Sequence, residues 1–177
     1  MELLEGNIKM FNLNYYMEVI ERNDISEAIT IIEEIGEQKN IEALPFLIET
    51  LKNTSNHNLR NCIALALRDI GSEEAVEPIL SMLIDPITVG NRGTLLYALV
   101  PFDCSAYIEL IVDLMINGNW EVRHNSLQLI DSIKKDLSVD VLHRCIDKIN
   151  KEVDELEDKL SIFSDSLDVL HDLKSDN

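Results

Sequence analysis

One helix start is written four times in this chain, and that constrains the fold more than any other feature. The clearest copy is Leu59-Arg60-Asn61-Cys62-Ile63-Ala64-Leu65-Ala66-Leu67-Arg68-Asp69-Ile70-Gly71, with an Arg second, small residues in the middle and Ile-Gly at the end. Val122 to Lys134 repeats the frame: Arg123 falls on Arg60, Leu127 on Ala64, Ile130 on Leu67 and Ile133 on Ile70. Val89 to Pro101 fits it too, with Val89 for Leu59, Tyr97 for Leu67 and Val100 for Ile70. Upstream, Ile32-Glu33-Glu34-Ile35-Gly36 matches Leu67 to Gly71. A spacing of about 30 to 35 residues between copies means stacked supersecondary units, each unable to bury its apolar face alone.

The second half of each unit also recurs. Ala43-Leu44-Pro45-Phe46-Leu47 through Leu51 resembles Ala75-Val76-Glu77-Pro78-Ile79 through Leu83, and Tyr107 through Met115 follows. A fourth, looser copy runs from Ser138 to Ile146. Apolar residues return every three or four positions, which is helical spacing, and no alternating β-branched run suggests a strand. The links hold Gly71-Ser72, Pro101-Phe102-Asp103 and Asn117-Gly118-Asn119, residues that stop one helix and cap the next.

On the strength of Leu59-Arg60…Ala64…Leu67…Ile70-Gly71, then Glu74-Ala75-Val76…Ile79…Leu83…Asp85, then Val122-Arg123, the chain resembles the HEAT-repeat family. The likeness is to its short, PBS-lyase-like variety, over roughly residues 25 to 150. It implies an all-α fold: an α-solenoid of about four HEAT-like helix pairs with N- and C-terminal capping helices, the second helix of each pair lining the concave face. The third copy departs from the pattern, with Gly90 in place of the Arg and Pro101 in place of the Gly. Ala64 and Ala66 are expected to let neighbouring helices approach, and Leu67 and Ile70 to fill the layer between them. Arg60 and Arg123 are expected to bond carboxylates or helix ends of the next repeat.

The expected organisation is an N-terminal capping helix over 1–23, a repeat domain over 24–150 and an acidic heptad-patterned segment over 151–177. In the first, Leu3, Leu4, Ile8, Met10, Phe11, Leu13, Tyr15, Tyr16, Val19 and Ile20 would plug the first repeat. In the last region, Leu142, Ile146, Ile149, Val153, Leu156, Leu160, Phe163, Leu167 and Leu170 are spaced by four, then three, throughout, an a/d seam of about four heptads. Acids crowd the other positions: Glu152, Asp154, Glu155, Glu157, Asp158, Asp165, Asp168, Asp172 and Asp176, against Lys151, Lys159 and Lys174. The seam either folds back on the last repeat as a cap or pairs with a second chain. Ser161, Ser164 and Ser166 favour a break near residues 161 to 164.

Charge narrows the partners. The 177 residues carry a formal net charge of −18. That argues against nucleic acid and anionic membranes, which need clustered Lys and Arg, and permits steering toward a basic protein. No apolar run reaches the roughly 20 residues of a membrane helix. Met1-Glu2-Leu3-Leu4-Glu5 lacks the basic start of a signal peptide. Cys62, Cys104 and Cys145 are odd in number and far apart, which reads as reduced core thiols in a cytoplasmic protein.

Catalytic seeds are missing from the sequence. The four histidines precede Asn58, Asn125, Arg144 and Asp172, so there is no His-Glu pair for a di-iron site, no HExxH and no CxxC…CxxC. Gly90-Asn91-Arg92-Gly93 is too short for a phosphate loop and has no Walker lysine, and GxSxG is absent. No enzyme activity, cofactor or metal is expected. Aligned second helices place Glu77, Glu109 and Asp140 in one column, and Glu49, Ser81, Asp113 and Arg144 in another. Glu49, Glu77, Glu109, Asp113 and Asp140 therefore form a candidate acidic stripe for a basic protein partner, with Trp120 as a candidate aromatic anchor. The expected function is a small binding scaffold, concretely an immunity or antitoxin-like protein masking a nuclease-type toxin. The alternatives are an enzyme accessory of the lyase kind handling a small ligand, and a homodimer held by the C-terminal heptads.

Overall fold

The computed structural model describes residues 12–175. Within them the chain forms α1 (Leu13–Glu21), α2 (Ile25–Glu37), α3 (Leu44–Asn53), α4 (His57–Ile70), α5 (Val76–Ile84), α6 (Gly93–Leu99), α7 (Ile108–Asn117), α8 (Trp120–Ser132) and α9 (Val139–Ser175). Single 3₁₀ turns precede α3, α5, α6 and α7. Of the expected N-terminal plug, Leu3, Leu4, Ile8, Met10 and Phe11 lie outside the described residues. Tyr16 and Val19 on α1 are buried, and the Tyr16 hydroxyl donates to Thr50 Oγ1 of α3 at 2.9 Å.

Two layers result. Helices α2, α4, α6 and α8 stack in one, each touching the next. Helices α3 and α5 touch in the other, as do α7 and α9. Consecutive helices cross between the layers, α3 on α4, α5 on α6 and α7 on α8. This is the all-α solenoid of paired helices that the repeats imply.

The opening stretch shows how residues make a unit. Asn56 caps α4 by accepting the Leu59 amide at 3.0 Å, and Gly71 ends the helix with φ +76, which L side chains rarely adopt. Leu59, Ile63 and Leu67 recur on one face and are buried, each burial contributing about 1.5–3 kcal/mol. Ala66 meets α2 at Gly36: a Cβ there would sit 3.0 Å from the Ala66 Cα. The two glycines aligned by sequence thus differ in role. Gly71 is a cap, whereas Gly36 lies inside α2 and sets the closest helix approach.

Arg60 is buried to 1 % exposure, and its Nη2 donates to the carbonyl of Thr54, the residue that ends α3. Its bond therefore reaches back to the preceding helix rather than forward to the next repeat. Desolvation pulls its pKa down and the charge of Asp85 opposes this. The third repeat recovers the same device from a shifted position. Gly90 has φ +88, α6 begins only at Gly93, and Arg92 Nη2 donates to the Asp85 carbonyl at the end of α5 at 3.3 Å. Arg123, by contrast, is exposed on α8.

Helix α9 is one unbroken helix across residues 161 to 164, where a break was expected. Ser166 avoids competing with the helix by donating to the Ile162 carbonyl at 2.7 Å. At 37 residues it is about 55 Å long. Its first three turns cover α7: Cys145 is buried with Ile108 and Val112, and Val141 and Ile149 pack beside them. From Val153 onward every residue whose side chain is described is exposed.

Candidate functional site: an acidic face on the second helix layer

Glu49 lies on α3, Glu77 on α5, Glu109 and Asp113 on α7, and Asp140 on α9. The fold thus carries the five acids on alternate helices. Three of them, Glu77, Glu109 and Asp113, are held by side-chain contacts. Tyr107, at the start of α7, donates its hydroxyl to Glu77 Oε1. Arg144 of α9 grips Glu109, with Nη2 at 2.6 Å from Oε1 and Nε at 3.2 Å from both carboxylate oxygens. Lys148 Nζ meets Asp113 Oδ1 at 2.7 Å. Asp140 adds its negative charge beside Arg144.

The electrostatics follow from these contacts. The Arg144 hydrogen bond holds the Glu109 carboxyl below its ordinary range, and Glu109 in turn raises Arg144. Glu77 raises the Tyr107 hydroxyl, because a nearby carboxylate disfavours a phenolate. Glu109 and Asp113 are therefore counter-charged by α9, and the part of the face left without a basic partner in these contacts is Glu49, Glu77 and Asp140. Spacing gives the reason: Glu109 and Asp113 are four apart on α7, Arg144 and Lys148 four apart on α9, so two helices in register pair both at once. That signal was present in the sequence.

Glu49 is separate from this network. It borders an open groove of about 370 Å³ where α1, the start of α2 and α3 meet, with Tyr16, Met17, Ile25 and Phe46 as its apolar wall and Asp24 and Glu21 at its rim. Trp120 stands on α8, in the other layer, so it does not join the acids. It is 76 % exposed and stacks on His124 with ring centroids 5.4 Å apart.

No group of three or more His, Cys, Asp or Glu residues able to hold a metal occurs among the described residues. Burial pushes the thiols of Cys62 and Cys104 up to about 11, so both are protonated and unreactive near neutral pH. No described helix is long and apolar enough to cross a membrane.

The sequence reading missed three large residues of α9 outside the a/d seam. Ile162, Val169 and Leu173 are 62 %, 60 % and 59 % exposed beside seam residues that are equally open. Their i, i+7, i+11 spacing was available as a second apolar stripe.

Residues 17–99 match the family model for HEAT repeats. Neither the curated proteins nor the solved structures give a match. The matched span begins in α1 and ends with α6, so it covers the packing of α3 on α4 and of α5 on α6 described above. Over residues 17–99 the chain is thus similar to HEAT repeats, in keeping with the all-α solenoid of paired helices described above.

Proposed function

We propose that the chain is a small protein-binding scaffold that holds a basic partner against the acidic face of its second helix layer. The observation that carries this reading is the exposure of Glu49, Glu77 and Asp140 on α3, α5 and α9, three of the four helices of the second layer, in a chain with net charge −18. Such a face accelerates encounter with a basic protein and disfavours acidic ones. The concrete form is an immunity or antitoxin-like protein that masks the basic active site of a nuclease-type toxin. Small size, strong acidity and a rigid repeat scaffold support it.

Capture from the native host with the tagged chain, at low and at high salt, tests the reading. A single basic protein retained at low salt and released at high salt is the expected result. Glu49→Lys, Glu77→Lys and Asp140→Lys together should abolish capture without lowering the melting temperature. Glu109 and Asp113 are left in place because they make the direct ion pairs that tie α9 to α7, which Asp140 does not. Capture unchanged by the triple reversal would move the site off this face. The groove at α1 and α3 favours the second reading, a small-ligand role, and a low-mass ligand that copurifies with the chain would support it.

A further inference from the structure

We infer that α9 pairs with α9 of a second copy in an antiparallel two-stranded coil. The inference does not depend on the nature of the basic partner. Eight of the nine a/d residues from Leu142 to Leu170 are between 40 % and 68 % exposed, and Ile149 is partly buried. They lie on one helix without interruption, so the stripe is continuous along it. Covering it takes eight exposed large apolar side chains on each copy out of water, the kind of apolar core that a stable interface is built around. A single exposed apolar residue needs no explanation, but a whole seam of them at heptad spacing on one helix does.

Charge selects the orientation. Counting Val153 as position a and Leu156 as d, Glu152 is g, Glu157 is e and Lys159 is the next g. In a parallel pair g faces the following e, so Glu152 meets Glu157 of the second copy, twice. In an antiparallel pair g faces g and e faces e. With Val153 beside Leu156 of the second copy, Glu152 meets Lys159 twice and Glu157 meets Asn150. Sliding that register by one heptad sets Lys159 on Lys159 and Glu157 on Glu157. Of these three arrangements, only the first antiparallel register has no like-charge contact along its flanks and also sets Glu152 against Lys159.

The second apolar stripe agrees. Ile162 and Val169 occupy c, and Leu173 occupies g. In the first turns of α9 that same flank, with Val141, Cys145 and Lys148, lies on α7. An antiparallel pair puts the g flanks of both copies on one side. Ile162, Val169 and Leu173 of the second copy then turn toward the side where this copy's solenoid sits. In a parallel pair they stay in water.

Sedimentation equilibrium of the full chain tests this. A reversible dimer at micromolar concentration is expected, strengthened or unchanged by added salt because the arms are acidic, whereas capture of a basic partner weakens with salt. Leu160→Glu should give a monomer with an unchanged melting temperature. Glu152→Lys should weaken the dimer by about tenfold, since it sets a second lysine against Lys159, and adding Lys159→Glu should restore it. A monomer up to about 100 µM, or a dimer indifferent to Leu160→Glu, overturns the proposal. So does a dimer tightened by Glu152→Lys, the response of a parallel pair, or a chain that is monomeric alone and loses its basic partner on Leu160→Glu.

Discussion

The solenoid body and the projecting half of α9 are built from the same helical periodicity and meet opposite fates. In the body, Ile63, Leu67, Ile79, Leu83, Leu95 and Leu99 recur every three or four residues and are fully buried. In the arm, Leu156, Leu160, Leu167 and Leu170 recur in the same way and are more than half exposed. Periodicity states that a face will be covered. It does not state by what. In the body each face meets the next copy of the unit, about 30 residues along. Beyond α8 no further copy follows in the described residues, so the first turns of α9 lean on α7 and the end of α8, and the seam beyond them stays open.

The largest expected effect separates these two regions with one type of substitution. Leu67→Asp places a charge in a layer with no water and should cost more than about 4 kcal/mol, enough to unfold the chain. Leu160→Asp in the arm should leave the stability of the monomer within about 1 kcal/mol of wild type. Equal effects on thermal melting would erase the distinction.

A second contrast sharpens the account within the body. Arg60 and Arg123 hold equivalent places in the repeat, yet one is buried on the end of α3 and the other is exposed. Arg60→Ala leaves a cavity and an unpaired carbonyl and should cost about 3 kcal/mol by chemical denaturation. Arg123→Ala should change stability by less than about 0.5 kcal/mol. Arg92→Ala should fall between them, because its bond to the Asp85 carbonyl is longer and its side chain is only half-buried.

Smaller again is the junction between the two regions. Arg144→Ala with Lys148→Ala removes both ion pairs to α7 and should speed amide exchange in residues 139 to 152 while leaving α2 to α6 unchanged. Acid should act in the same direction. Hydrogen bonds depress Glu109, and Lys135 with Ser105 holds Asp103 at about 2 rather than 3.8. Groups lowered on folding stabilise above their unfolded pKa and lose that contribution as pH falls through the folded value. Loosening of α9 and of the 133–138 link should therefore appear between about pH 4 and pH 2, followed by circular dichroism and amide exchange. The effect should be modest, since these pairs are largely exposed.

Much of the fold could be read from the residues. The Leu59-to-Gly71 frame marked the helices, Gly71 and Asn119 marked their ends, and Ala66 marked a close approach. What misled was alignment position used as a guide to role. Gly36 aligned with Gly71 but sits inside the last turn of α2, and the positive-φ residue that follows the helix is Lys39 (φ 50) instead. Gly90 aligned with Arg60, and the arginine that bonds the preceding helix end came two residues later. At the acidic face, the sequence set Glu77, Glu109 and Asp140 in one column and Glu49 and Asp113 in another, but the pairing of Glu109 and Asp113 was not sought, although Arg144 and Lys148 carried the matching spacing. The serines at 161, 164 and 166 suggested a break that the flanking Leu, Ile and Phe residues outweigh.

Amide exchange of the full chain at two protein concentrations tests the central claim most directly, that the body is stabilised by its own chain and the arm is not. Helices α2 to α6 should exchange slowly and equally at both concentrations. Residues 153 to 175 should exchange rapidly when dilute, because an isolated helical arm frays, and become protected when concentrated. Protection of the arm equal to that of the body at every dilution would contradict the account and place the seam against its own solenoid.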